Sequence, residues 1–490
     1  MSNKSISTNI FKNKPRVFAT IGTLSLIVTG CAGSAPKQYT EYLPGDEVET
    51  LDGVELDMDN AIFDDFTTGV DYDRWMIGSG AWGNGNGGVI PENVSYTEDG
   101  VLILRGNGLH YARNEVKGLG VLKDGRNTGS AIISKFRTGP GHYEVKMKPL
   151  PRLGACTAFW TYTYNDPSSV YDEPDNHEID IELPGGKSTG TISFKQVLNT
   201  NYHTVALNIS KDVNFADVTK GNVINVVDGQ FHTFGFDWYT DPSVVIYYVD
   251  GQITAITDTY VPYLQSRLWL GNWFPNNSAF VGNSLFETDY MLVDWVKYIP
   301  FKDQPQTEWD ASVSVNGAER SQYPSSPIIL PTANMVSNGD FDALINVEEN
   351  LNTYGWTFSK LNGYENIDVN NICYLDPING YENSAGVHLK EGGLLTTEID
   401  TIYDGLSYNL SFMAKSDAED TRFIVRYRSG TETEISKEII NIPASEDFVE
   451  YTKELVPPEG THSVSIQIYS NDENKDINVL LDDIKIERNY

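Results

Sequence analysis

Between Ile62 and Pro300, apolar residues come in short runs rather than at helical spacing. Val101-Leu102-Ile103-Leu104, Tyr143-Glu144-Val145-Lys146-Met147 and Val244-Val245-Ile246-Tyr247-Tyr248-Val249 have strand length, and the last runs into Asp250-Gly251, a hairpin-turn pair. No stretch of twelve or more residues in this block keeps a 3.6-residue period. Short strands punctuated by Gly, Asn and Asp over such a length predict an all-β fold, a curved β-sandwich of jelly-roll type. Phe301 to Thr332 breaks the pattern with Pro305, Pro324, Pro327 and Pro331 and reads as a linker. From Asn334 to Tyr490 strand-like runs return, among them Phe423-Ile424-Val425-Arg426-Tyr427 and Val464-Ser465-Ile466-Gln467-Ile468, which predicts a second, smaller β-sandwich.

The N-terminus follows another rule. Lys4, Lys12, Lys14 and Arg16 stand without an acidic neighbour before the mostly apolar run Val17 to Val28, which is too short to span a bilayer. Val28-Thr29-Gly30-Cys31 then resembles a bacterial lipobox, so Cys31 is expected to carry lipid after cleavage. Polar, acidic residues up to Asn60 read as a tether. That organisation places the protein on a bacterial membrane, the outer one, facing the periplasm or the cell surface. Cys156 and Cys373 are then the remaining thiols. They fall in different predicted domains, so both are expected to be unpaired and buried.

Charge narrows the partners. With 35 basic and 68 acidic side chains the 490-residue chain carries −33, which argues against nucleic acid. Hydrophobic residues at 40% and aromatics at 12% are enough for packed cores and exclude global disorder. The charge is uneven: residues 334–490 hold 29 acidic and 11 basic side chains, whereas Arg105 to Arg152 holds ten basic and three acidic ones.

Asn176-His177-Glu178-Ile179-Asp180-Ile181-Glu182-Leu183 alternates strictly. On a strand this puts Glu178, Asp180 and Glu182 on one face and the apolar residues on the other; on a helix Asp180 would point away from its neighbours. Three adjacent carboxylates repel one another, a cost that points to a site. A calcium cluster draws on loop carboxylates and backbone carbonyls, which a regular strand does not offer. Retaining glycoside hydrolysis uses two carboxylates about 5 to 5.5 Å apart. Four strand residues span about 13 Å between α-carbons, so the glutamates must lean together on the concave side of a curved sheet. Asp180 between them can hold the nucleophile by a hydrogen bond and help keep the acid/base carboxyl protonated.

Glu178-Ile179-Asp180-Ile181-Glu182 resembles the E-x-D-x-E signature of glycoside hydrolase family 16 without the β-bulge. Phe63-Asp64-Asp65-Phe66, Arg74-Trp75, Ala158-Phe159-Trp160 and Phe231-His232-Thr233-Phe234-Gly235-Phe236-Asp237-Trp238 extend the similarity over about residues 62–300. The resemblance implies Glu178 as nucleophile, Asp180 as assisting carboxylate and Glu182 as acid/base. It implies no cofactor for the chemistry and, for metal, at most a structural calcium ion. The expected organisation is a lipoprotein signal peptide over 1–30, a tether over 31–60, a jelly-roll catalytic domain over 61–300, a linker over 301–332 and a carbohydrate-binding-like β-sandwich over 333–490.

Trp160, Tyr162 and Tyr164 alternate along one strand and offer a stacking platform for sugar rings; Trp269 and Trp273 divide between core and cleft. His177 and His203 are candidate hydrogen-bond donors or acceptors to sugar, and Arg137 a candidate contact within the basic stretch. Because Arg and Lys pair well with oxyanions, that stretch favours a sulfated red-algal galactan of the carrageenan, furcellaran or agar/porphyran type. A neutral β-glucan such as lichenan or laminarin is the alternative, as is a non-catalytic glycan-binding lipoprotein. In the C-terminal block Asn334 to Phe341, Tyr354-Gly355-Trp356 and Leu481 to Ile486 resemble β-sandwich carbohydrate-binding modules, with Trp356, Tyr364, Tyr374 and Tyr381 as candidate rings. A monomer is expected, with a polysaccharide and the membrane as its partners.

Overall fold

A computed structural model describes residues 48–81, 87–111, 127–164, 174–184, 197–204, 208–214, 226–258, 260–311, 313–342, 355–470 and 477–489. Cys31 and the predicted signal segment lie outside the described residues.

The first half of the chain supplies β1 (Ile62–Asp64), β2 (Trp75–Ser79), β3 (Val94–Tyr96), β4 (Leu102–Asn107), β5 (Ser130–Ser134), β6 (Gly141–Lys148), β7 (Cys156–Tyr164) and β8 (Pro174–Pro184). There follow β9 (Val197–Thr204), β10 (Asn208–Asn214), β11 (His232–Thr240), β12 (Ser243–Val249), β13 (Gln252–Thr257), β14 (Arg267–Trp273), β15 (Thr288–Pro300) and β16 (Asn316–Gly317). They form two sheets, one ordered β13-β12-β11-β6-β15-β4-β3 with β1 beside β15, the other β10-β9-β8-β7-β14-β5-β2-β16. Neighbouring strands in both are antiparallel. This is the all-β jelly-roll sandwich that the short alternating runs predict.

Alternation decides what fills the space between the sheets. Ile179, Ile181 and Leu183 of β8 and Phe159 of β7 meet Val145, Met147, Phe234, Phe236, Trp238 and Val293 of the facing sheet in one core. Each fully buried large apolar side chain contributes roughly 1.5–3 kcal/mol. Asp64 ties the sandwich's opening together. Its carboxylate accepts from Trp75 Nε1 at 2.7 Å and from the Phe66 amide at 3.0 Å, while Arg74 donates to the Phe63 carbonyl at 2.8 Å. The Phe-Asp-Asp-Phe and Arg-Trp pairs seen in the sequence are thus a clasp between β1 and β2.

Ten further strands, β17 (Trp356–Lys360), β18 (Cys373–Asp376), β19 (Gly386–Leu389), β20 (Gly393–Ile399), β21 (Tyr408–Ser416), β22 (Thr421–Arg428), β23 (Glu434–Ile442), β24 (Ser445–Leu455), β25 (Ser463–Ser470) and β26 (Val479–Arg488), build the second sandwich. Its sheets run β17-β20-β25-β22-β23 and β18-β19-β26-β21-β24 around a separate core that includes Trp356, Phe412, Phe423 and Ile466. The two sandwiches share a buried junction. Arg488 at the end of β26 meets Asp289 of β15, which Arg152 approaches with Nε at 3.6 Å, and the Tyr403 hydroxyl donates to the Pro151 carbonyl at 3.3 Å. His110 Nδ1 and the Ser337 hydroxyl lie 2.9 Å apart.

Candidate active site

β8 is where the sequence motif becomes a surface. Its register with β7 is unbroken from Asn176 to Pro184, pairing Glu178 with Tyr162, Asp180 with Trp160 and Glu182 with Ala158. No bulge interrupts the three carboxylates, in keeping with the regular spacing of the motif. His177, Ile179, Ile181 and Leu183 are buried on the core side, while Glu178 and Glu182 are half-buried and Asp180 is 4% exposed. On the other flank, β9 sets Asn201 opposite Glu178 and Asn199 opposite Asp180. No local pattern marks these two asparagines, because only the β8–β9 register brings them beside the motif.

The outer face continues across β7 and β14 as Cys156, Ala158, Trp160 and Tyr162 opposite Trp273, Gly271, Trp269 and Arg267. Trp160 and Trp269 stack with centroids 5.3 Å apart, and Tyr162 meets Trp269 edge-on at 6.2 Å. Such ring pairs add about 0.5–1.5 kcal/mol each beyond burial. Together with Ile133, Ala158 and Val315 they form a small apolar cluster separate from the main core. Trp269 is 1% exposed and Trp160 7%, whereas Tyr162 and Trp273 remain half-buried and able to meet a ligand. Of the three rings predicted to form a platform, Trp160 is thus mostly buried against Trp269 and Tyr162 half-buried, and the Tyr164 side chain lies outside the described residues.

His177 belongs elsewhere than expected. It sits on the core side of β8, fully buried, and its Nδ1 accepts from the amides of Tyr263 at 3.2 Å and Leu264 at 3.1 Å. Burial lowers its pKa to about 3. The neutral ring fixes the 263–264 segment, which corrects its assignment as a sugar contact: being next to Glu178 in sequence means facing away from it on a strand. His203 pairs with Asn176 in the β8–β9 register.

The basic stretch is also dispersed. Lys146 and Lys148 lie on β6 of the facing sheet, where Lys146 pairs with Asp294 at 2.9 Å and Lys148 sits 4.9 Å over the Phe231 ring. Arg152 is buried at the junction with the second sandwich. Arg105 donates to Asn93 at 2.8 Å, and exposed Arg137 donates to the Trp309 carbonyl at 3.0 Å. Arg113, Lys117, Lys123 and Arg126 lie outside the described residues. Among the described residues the cations of this run do not form one patch, because strand parity and the switch between sheets scatter them.

Cys156 turns out to belong to the carboxylate face. Its thiol lies 4.0 Å from Glu182 Oε1, and burial, with the Glu182 charge beside it, pushes its pKa well up. Cys156 and Cys373 are both free and buried. Among the described residues no group of three or more His, Cys, Asp and Glu side chains is placed to hold a metal ion, so a calcium ion finds no such carboxylate cluster there. In the second sandwich Trp356 is core, donating to the Ser337 and Asn338 carbonyls. Tyr364 donates to Glu391, Tyr374 stacks on His388 and Tyr381 meets Phe448 edge-on.

Residues 92–295 match the family model described as Glycosyl hydrolases family 16. A beta-glucanase of Paenibacillus polymyxa is 29% identical over 212 residues, covering 42% of this chain and 73% of the relative. One of Bacillus licheniformis is 32% identical over 136 residues, 28% of this chain and 47% of the relative. The solved structure titled Bacillus licheniformis beta-glucanase aligns at 24% identity with a TM-score of 0.37, covering 49% of this chain and 97% of its own.

Proposed function

From the match of residues 92–295 to the glycosyl hydrolases family 16 model, we propose that this protein is an endo-acting, retaining β-glycan hydrolase working by double displacement on the outer face of β8. The observation that carries the reading is the unbroken strand that turns Glu178, Asp180 and Glu182 to one face while their apolar spacers anchor the core. In this reading Glu178 attacks the anomeric carbon as Glu182 gives its proton to the leaving oxygen. Water then attacks the anomeric carbon and frees the Glu178 carboxylate while Glu182 takes a proton from that water, which restores both groups. Asp180, the most buried of the three, holds the nucleophile's orientation and disfavours a second full charge beside it. Tyr162 and Trp273 supply ring faces to the sugars.

The substrate is the finer part of the proposal. A sulfated galactan draws support from exposed Lys135 at the end of β5, and loses the support of Arg137, which donates to the Trp309 carbonyl, and of Lys146, Lys148 and Arg152. A neutral β-glucan draws support from the beta-glucanases among the relatives. Lipid anchoring through Cys31 belongs to the same reading and puts the enzyme where a polymer too large to enter a cell is met. Release of reducing ends from κ-carrageenan, furcellaran, porphyran, agarose, laminarin and lichenan by the full chain, with Glu178→Gln and Glu182→Gln alongside, tests it. Turnover of one of them that both substitutions abolish supports the proposal; turnover that survives Glu178→Gln, or no turnover on any of them, overturns it.

A further inference from the structure

The segment after β15, linker-like in composition, is bound at several described points between Thr307 and Tyr323 to the carboxylate-bearing sheet and the chain leading into it. Thr307 donates its amide to the Tyr263 carbonyl at 3.1 Å and accepts from the Gln265 amide at 3.0 Å. Arg137 then holds the Trp309 carbonyl at 3.0 Å, and Arg267 Nε holds that of Ala311 at 2.9 Å. The same Arg267 guanidinium reaches the carbonyls of Ser134 and Lys135 at 3.0 and 2.7 Å, so it fastens the crossing chain to the end of β5. Val313 and Val315 next pack on Ile133 of β5 and on the Trp160–Trp269 stack, with Val315 only 7% exposed. Asn316 and Gly317 pair with Ser79 and Gly78 as an added edge strand, and the Ala318 amide donates to the Ile77 carbonyl at 2.8 Å. Tyr323 finishes the attachment: its hydroxyl accepts from the Ile77 amide at 3.1 Å and its ring stacks on Tyr72 at 4.3 Å.

We propose that residues 313–317 are the end wall of the sugar groove and set how many sugar residues bind on the β14 side of the carboxylates. This rests on the proposed hydrolytic reading of β8. A glycan laid across the strands at Glu178–Glu182 passes over β7 and reaches β14 after two strand spacings, about 10 Å. There Val313 and Val315 occupy the outer face that an open sheet would offer as further platform, and they bury Trp269 instead of leaving it to a sugar. The groove is therefore short on this side and must gain its binding from the β9 side. Arg137 and Arg267 act as positioning residues, since they donate to the carbonyls of Trp309 and Ala311, just before the wall.

The test compares wild type with Val313→Ser/Val315→Ser and, separately, with Arg137→Ala, whose exposed side chain can be removed without opening the core. Size-graded oligosaccharides prepared from the polysaccharide that the wild type cuts serve as substrates, and kcat/KM is read against chain length together with the product sizes. Loosening the wall should raise kcat/KM for the longest over the shortest oligosaccharides by about fivefold, ~1 kcal/mol, and shift cleavage by at least one sugar unit. An unchanged length dependence and product pattern in both variants overturns the wall. If the valine pair fails to fold, Arg137→Ala alone decides. Failure of the hydrolytic reading looks different, because it leaves the Glu178→Gln variant active whatever the wall does.

Discussion

Arg488, at the end of the last strand, donates from Nη2 to Asp289 Oδ1 at 2.7 Å and from Nη1 to Oδ2 at 3.1 Å, joining the second sandwich to the first through a buried bidentate pair. Both side chains are 3% exposed or less. Breaking such a pair from one side leaves a buried charge uncompensated, at a cost of about 3–5 kcal/mol. Arg488→Met should therefore lower the melting temperature of the whole chain in calorimetry. Adding Asp289→Leu should deepen the loss, because it also takes the carboxylate from buried Arg152, which approaches Asp289 with Nε at 3.6 Å. An unchanged melting temperature in Arg488→Met would refute the junction's role.

Stability should fall on both sides of neutrality for separate reasons. His177 has its folded pKa lowered to about 3 by burial, below its ordinary 6.5. Its contribution is full above about 6.5 and is lost as pH falls toward 3, on the order of 5 kcal/mol at the limit. His232 is shifted the other way, up to about 8, first by its hydrogen bond with Asp250 and also by Asp228. Its contribution is full below about 6.5 and is lost as pH rises through 8; with both carboxylates more than a third exposed it is roughly 1 kcal/mol. Chemical denaturation across pH checks both: His177→Gln should flatten the acid limb and His232→Gln the alkaline one.

What the sequence made legible follows strand parity. The period of two along 177–183 places Glu178, Asp180 and Glu182 together, and the same parity, applied to His177, would have sent it to the core. The Arg105–Arg152 cations look like one patch only while the chain is read as a line; β5 and β6 belong to different sheets, so Arg137 and Lys146 part company. Prolines and serines made 301–332 look like a linker, yet Val313 and Val315 alternate as a strand approaching a sheet edge does. The Arg488–Asp289 pair spans 199 positions, and no local pattern announces a partner at that distance.

Cys156 should behave as a silent thiol beside the acid/base. Burial and the adjoining Glu182 keep it protonated, so neither it nor buried Cys373 should react with a thiol reagent in the native protein, while both should react after unfolding. Cys156→Ser replaces the weak donor that lies 4.0 Å from Glu182 with a stronger one and should move the alkaline limb of the kcat/KM profile. Rapid native labelling, or a pH profile that does not move, would contradict this placement.

The central claim, double displacement through Glu178 with Glu182 as acid/base, is tested most directly by proton NMR of the anomer first released when the wild-type chain cuts its polysaccharide. Retention predicts that the β-anomer appears first and only later relaxes to the equilibrium mixture by mutarotation. First appearance of the α-anomer would contradict the account.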